Sequence, residues 1–93
     1  MAAYLIGQIQ VHDEDLWKQY VEGVAASMVS IDARILFRGE KQGDLAGTNP
    51  RDRAVVIEFA NANELDRWFN SESYQKLIPL RDRAADVVIT HYR

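Results

Sequence analysis

Residues 3–11 read AYLIGQIQV. In an extended chain successive side chains point to opposite faces. Leu5, Gly7, Ile9 and Val11 then share one face, and Tyr4, Ile6, Gln8 and Gln10 share the other. Both faces carry apolar groups, so the spacing predicts a strand that is covered on both sides. A chain of 93 residues makes one small domain with a modest core. It has few elements with which to supply two covers.

The rest of the chain supplies a limited set of partners. Asp13 is a good helix N-cap, and Glu14 and Asp15 suit the positive end of a helix dipole. Leu16, Trp17, Tyr20, Val21, Val24 and Met28 then recur at helical spacing, predicting a helix over about residues 14–30. ARILFRG (33–39) reads as a second strand, with Ile35 and Phe37 on one face and Arg34, Leu36 and Arg38 on the other. Residues 40–52 carry Gly43, Gly47 and Pro50 without periodicity and read as a loop or a frayed strand extension. RAVVIEFA (53–60) is a third strand, with Val55, Ile57 and Phe59 opposite Val56 and Glu58.

Asn61 caps a short helix in a capping-box-like arrangement with Glu64, and Leu65, Trp68 and Phe69 form its buried side. Ser71 caps a further segment holding Tyr74, Leu77, Ile78 and Leu80. Pro79 lacks an amide donor and kinks or divides that segment. DVVITHY (86–92) is the last strand. The order β-α-β-β-α-β is the ferredoxin-like pattern, an α+β fold with a four-stranded antiparallel sheet and its helices on one face. One domain spans residues 1–93. The alternation leaves Tyr4, Ile6, Leu36, Val56, Val88 and Tyr92 on the face away from the helices, a large apolar patch for a monomer. The simplest cover is the same face of a second copy about a two-fold axis, a homodimer.

Composition narrows the function classes. Without cysteine there is neither a disulfide framework nor a thiolate metal site, which suits a cytoplasmic protein. Net charge is −3 and the basic residues are scattered, whereas nucleic-acid binding calls for a basic stripe. No apolar run approaches the roughly 18 residues of a membrane span, and the N-terminus lacks the basic region of a signal peptide. Neither nucleic acid nor membrane is an expected partner.

The stretches AYLIGQIQVHD, RGE and RAVVIEFANANELDRWFNSESYQKLIPLRDRAA resemble domain-of-unknown-function family 1330, of the dimeric α/β-barrel superfamily. The match falls on Ala3, Tyr4, Asp13, Arg38, Gly39, Val56, Ile57, Glu58, Phe59, Trp68, Ser71, Tyr74, Leu77 and Arg81. Phe69 stands where that family commonly has Tyr, Glu40 replaces the second Gly of an Arg-Gly-Gly turn, and Asp32-Ala33 stand where a Gly pair is frequent. The loop at 43–52 lacks an aromatic often seen there. The resemblance implies homodimers with a cavity inside each half of the barrel. It implies no particular activity.

From the residues, the strongest candidate ligand site is Gln8, Arg38, Glu58 and Thr90, all at the phase facing away from the helices. Pairing of the second and third strands would join Arg38 to Glu58, and a guanidinium and a carboxylate under apolar walls would orient an anionic or hydroxylated small molecule. The competing reading is a structural ion pair at the dimer seam. Arg81 is a further candidate at a pocket mouth, set against a solvated position beside Asp82 or Asp86. Trp17, Tyr20, Trp68, Phe69 and Tyr74 read first as core and second as an aromatic pocket.

His12 and His91 show no ligand spacing, so no metal is expected. The glycines of 39–47 are followed by neither a Lys-Ser/Thr pair nor a helix, so they make no phosphate loop, and no other motif calls for a cofactor. No Ser-His-Asp or Cys-His arrangement can be built. Three functions follow: a dimer binding a small organic molecule in its cavity; a cofactor-independent monooxygenase, isomerase or decarboxylase for small aromatic or polyketide-like compounds; or a structural dimer without a ligand.

Overall fold

A computed structural model describes residues 1–93. The elements are β1 (Ala3–Val11), α1 (Glu14–Ser27), β2 (Ala33–Glu40), β3 (Arg53–Phe59), α2 (Ala62–Phe69), α3 (Glu72–Gln75), α4 (Ile78–Ala84) and β4 (Ala85–Tyr92). All strand pairings are antiparallel, in the order β2-β3-β1-β4. This is the expected ferredoxin-like α+β arrangement. The Cα envelope measures 34 × 30 × 16 Å, a slab of one sheet and one helical layer.

The helix boundaries follow from local chemistry. Asp13 Oδ1 accepts from the Leu16 amide at 3.1 Å and starts α1. The helix ends at Ser27, a turn earlier than the apolar spacing predicts. Ser27 Oγ donates back to the Val24 carbonyl at 2.7 Å, and the Met28 and Val29 amides reach carbonyls three residues back, which tightens the last turn. Asn61 caps α2 through the Glu64 amide at 2.8 Å, but only half of the capping box forms. The Glu64 carboxylate instead accepts from the Asp32 amide and from Arg67, which ties the start of β2 to α2. Ser71 caps α3 through the Tyr74 amide. Pro79 divides the last helical segment and sits in the first turn of α4, where its missing donor costs nothing.

The core lies between the helices and one face of the sheet. Phe59, Trp68 and Tyr74 are wholly buried and stacked, with ring centroids 5.6 Å apart for Phe59–Trp68 and 4.3 Å for Trp68–Tyr74. Ala3, Leu5, Tyr20, Ile57, Leu65 and Leu77 complete this cluster. A second, smaller cluster of Ile9, Ala84 and Ala85 sits where α4 runs directly into β4.

One register break changes the expected faces. Arg34 pairs with Glu58 and Ile35 with Ile57, but Phe37 pairs with Val56 and Arg38 with Val55. Leu36 is thus an extra residue in a β-bulge, and everything after it on β2 is turned over. Phe37 therefore lies on the face away from the helices, and Arg38 lies on the helix face, each opposite to the plain alternation. Gly39 accommodates the change. A Cβ there would come within 2.6 Å of the Phe37 ring, so the ring folds over the glycine. The face away from the helices carries Tyr4, Ile6, Val56, Val88 and Tyr92, and Phe37, 53% exposed, joins them.

Phe59→Ala should cost about 3–5 kcal/mol of unfolding free energy because it removes a wholly buried ring from one end of the aromatic stack. Leu45→Ala, at a fully exposed loop position, should change stability by less than about 0.5 kcal/mol. Urea unfolding of the two variants checks both values.

Candidate functional site

A cleft of about 410 Å³ lies between α1 and the helix face of the sheet. Its floor is Leu5, Gly7 and Ile9 of β1, Val55 and Ile57 of β3, and Val87 and Ile89 of β4. Its roof is Trp17, Tyr20, Val21 and Val24 of α1, with Trp68 of α2 at one end. The other end is polar and formed by Arg38, Glu40 and Arg53. Volume and lining are those of a small-molecule pocket, mostly apolar with a few polar groups.

Gly7 sits mid-strand at the floor. Glycine weakens a strand interior and marks a close approach of something to the backbone. A Cβ there would lie 3.0 Å from Val55 Cγ1, so the glycine lets Val55 settle low and keeps the floor flat. On the α1 side the lining includes the short side chains of Val21 and Val24.

The polar end is unevenly neutralised. Glu40 stands directly across from Arg53 in the β2–β3 register, and Arg53 makes an ion pair with Glu14 at the start of α1. That hydrogen bond raises the Arg53 pKa above the ordinary guanidinium value. Glu14 is thus bonded to Arg53, and Glu40 faces it across the strand pair. The Arg38 guanidinium is exposed and forms no ion pair.

At the buried end a hydrogen-bonded chain runs outward from the roof. Tyr20 and Tyr74 share a bond of 2.9 Å between hydroxyls. Arg81 Nη1 donates to the Tyr74 hydroxyl at 3.1 Å, and Arg81 Nε donates to Asp82 at 3.1 Å. Trp68 Nε1 donates to Ser27 Oγ at 2.9 Å. Burial first, and then the neighbouring Tyr74, push the Tyr20 pKa far above that of free tyrosine, so Tyr20 stays neutral and hydrogen-bonded.

The four residues expected to converge do not. Gln8, Glu58 and Thr90 lie on the face away from the helices, while the bulge at Leu36 sends Arg38 to the cleft on the other side. The partner of Glu58 is Arg34, at 2.8 Å. Gln8 accepts from Asn49 Nδ2 at 3.0 Å, which pins the 41–52 loop to the sheet, and Thr90 stands opposite Ile6. Arg81 is not at the cleft; Tyr74 and Asp82 occupy it, Asp82 being one of its two expected neighbours. Asp86 pairs instead with Arg51 at 3.2 Å. His12 and His91 are both exposed, and no three His, Cys, Asp or Glu side chains converge.

Trp17, Tyr20 and Trp68, whose spacing marks them first as core, line the cleft, together with Gly7, Glu40 and Arg53, which belong to no site motif. The signal for Gly7 was present: a glycine interrupting the apolar face of an otherwise strong strand. Nothing comparable marked the mouth, because the bulge decides it.

Fold and cleft together define a ferredoxin-like α+β domain with a pocket between its helical layer and its sheet. The sequence matches, over residues 2–91, the family described as domain of unknown function DUF1330, and the chain belongs to that family. No curated protein matches it. Solved structures share the fold at low identity. A protein of unknown function from Rhodopseudomonas palustris superposes with a TM-score of 0.84 at 10% identity, over 98% of this chain and 80% of that one. A dimeric ferredoxin-like protein of unknown function from Thermobifida fusca gives 0.68 at 16% identity, over 99% and 90%. SnoaB, a cofactor-independent oxygenase from Streptomyces nogalater, gives 0.68 at 8% identity, over 99% and 91%.

Tyr20→Phe should cost about 1 kcal/mol at neutral pH by removing one hydroxyl of a buried pair. Tyr74→Phe should cost about 2 kcal/mol, because it strips a partner from both Tyr20 and Arg81. The raised Tyr20 pKa has a sign. Its stabilising contribution is complete below the unfolded tyrosine value of about 10, and it is lost as pH rises above that value, where only the unfolded chain releases the proton. Chemical denaturation between pH 8 and about 11 should show wild-type stability falling more steeply above pH 10 than that of Tyr20→Phe.

Proposed function

We propose that the protein is a homodimer that binds a small, mainly apolar organic molecule in the cleft between α1 and the sheet. The observation that carries the ligand reading is the cleft itself: about 410 Å³, apolar along floor and roof and polar at one end. An apolar space of this size left open in a small domain forfeits packing that the core needs. A ligand restores that packing.

The dimer reading rests on the other face of the sheet. Phe37 and Tyr92 are more than half exposed, and Leu36 and Val88 are also exposed. The 34 × 30 Å face has room for the roughly 800 Å² per partner that a stable interface buries. The fold neighbours from Thermobifida fusca and Bacteroides fragilis are described as dimeric. In such a dimer the Arg34–Glu58 pair would lie at the seam, while the two clefts, on the outward sides, would stay open to ligand.

A second reading is a cofactor-independent oxygenase. It is favoured by the likeness to SnoaB together with a cleft that presents Trp17, Tyr20 and Trp68. Oxygen uptake with a panel of polycyclic hydroxyaromatics, without added metal or flavin, tests it; no uptake above the protein-free rate removes it.

Sedimentation at micromolar concentration should give twice the 10.6 kDa chain mass. Phe37→Asp combined with Val56→Asp should give single subunits, and a wild-type monomer would overturn the dimer. In a thermal-shift screen of small metabolites, a true ligand at a hundred times its Kd stabilises by about 2.7 kcal/mol. Val21→Trp, which fills the cleft from the roof, should abolish that shift and leave the dimer intact. An unchanged shift in Val21→Trp would place the ligand elsewhere.

A further inference from the structure

We propose that the ligand of the cleft carries a carboxylate, and that Arg38 is the residue that selects it. This inference rests on the cleft reading above and names the chemical class that the cleft takes. The polar end holds two arginines and one acidic lining residue, with Glu14 beside them. Arg53 is bracketed by Glu14, which bonds it, and by Glu40, directly across the strand pair. Arg38 is two positions along the same face, opposite the apolar Val55, and no carboxylate of the chain bonds it.

A guanidinium is a planar fork of donors matched to the two oxygens of a carboxylate. Here the fork stands where apolar floor gives way to solvent. A molecule that buries a hydrocarbon body over Gly7, Val55 and Val21 would present its head to Arg38. The bulge at Leu36 is what makes this possible. An unbroken β2 would put Phe37 in the cleft mouth and turn Arg38 to the opposite face. An uncharged head would leave the Arg38 donors to water and gain nothing from them. A cationic head would meet Arg38 and Arg53 together.

The chain carries its own reporters. Its two tryptophans, Trp17 and Trp68, both line the cleft, so their emission reads occupancy. Cyclohexanebutanoate and cyclohexanebutanol share a hydrocarbon body that does not absorb with tryptophan and differ in the head. Titration of the full-length protein with each, followed by tryptophan emission and by calorimetry, should show the carboxylate binding about ten-fold more tightly than the alcohol. Arg38→Gln should remove that preference, weakening carboxylate binding about ten-fold more than alcohol binding. Arg38→Lys, which keeps the charge and loses the fork, should retain part of it, and far-UV circular dichroism confirms that both variants fold.

Equal affinity for the two probes in the wild type, or a preference that survives Arg38→Gln, overturns the assignment of Arg38 and leaves the apolar cleft standing. Failure of both probes to alter either signal at millimolar concentration overturns the cleft reading and this inference with it.

Discussion

The stack of Phe59, Trp68 and Tyr74 is the contact on which the rest of the molecule depends. It joins β3, α2 and α3 at one end of the sheet and buries three large rings completely. Two polar bonds extend its hold to α1: Trp68 to Ser27, and Tyr74 to Tyr20. At the opposite end the small residues Ala84 and Ala85 pack against Ile9, and the His12 and Asp13 amides bond the Ala84 carbonyl. α1 is therefore held at both ends. Between those ends Trp17, Tyr20, Val21 and Val24 face the cleft, whose floor includes Gly7. The cleft lies where the short side chains of Val21 and Val24 stand over Gly7, beside the larger Trp17, Tyr20 and Trp68.

Charge follows the same geometry. Opposite charges meet across strands, between strand and helix and at the loop: Arg34 with Glu58, Arg53 with Glu14 and facing Glu40, Arg51 of the loop with Asp86. These pairs are largely solvated and contribute little to stability singly. Their effect is to settle which charged groups are already committed, and Arg38 is left uncommitted at the one polar end of an apolar space. The other face of the sheet carries Tyr4, Ile6, Phe37, Val56, Val88 and Tyr92, and the loop pinned through Asn49 to Gln8 borders them.

Much of this was legible in the sequence because the physics is local. Alternation marked all four strands. Asp13, Asn61 and Ser71 announced three helix starts, each through a side-chain oxygen that accepts from an amide three residues on, and Pro79 announced the break between α3 and α4. The candidate site was only partly legible, for one reason. Ile35, Leu36 and Phe37 are three consecutive apolar residues, so the segment satisfies burial in either phase and the pattern cannot show where the phase changes. Arg34 and Arg38 are four apart and fall on one face of an unbroken strand; the bulge separates them, gives Glu58 to Arg34 and brings Arg38 to the cleft. The end of α1 was obscured in a similar way, since Met28 keeps the helical spacing while Ser27 has already turned its hydroxyl back onto the helix.

The placement of the phase change at Leu36 therefore decides which face owns Arg38, and it can be observed directly. In a nuclear Overhauser spectrum of the labelled protein, the Phe37 ring should show cross-peaks to the Val56 methyls, and the Arg38 side chain to those of Val55. Cross-peaks from the Phe37 ring to Val55 or Ile57, with Arg38 near Val56, would mean an unbroken strand and would contradict the account.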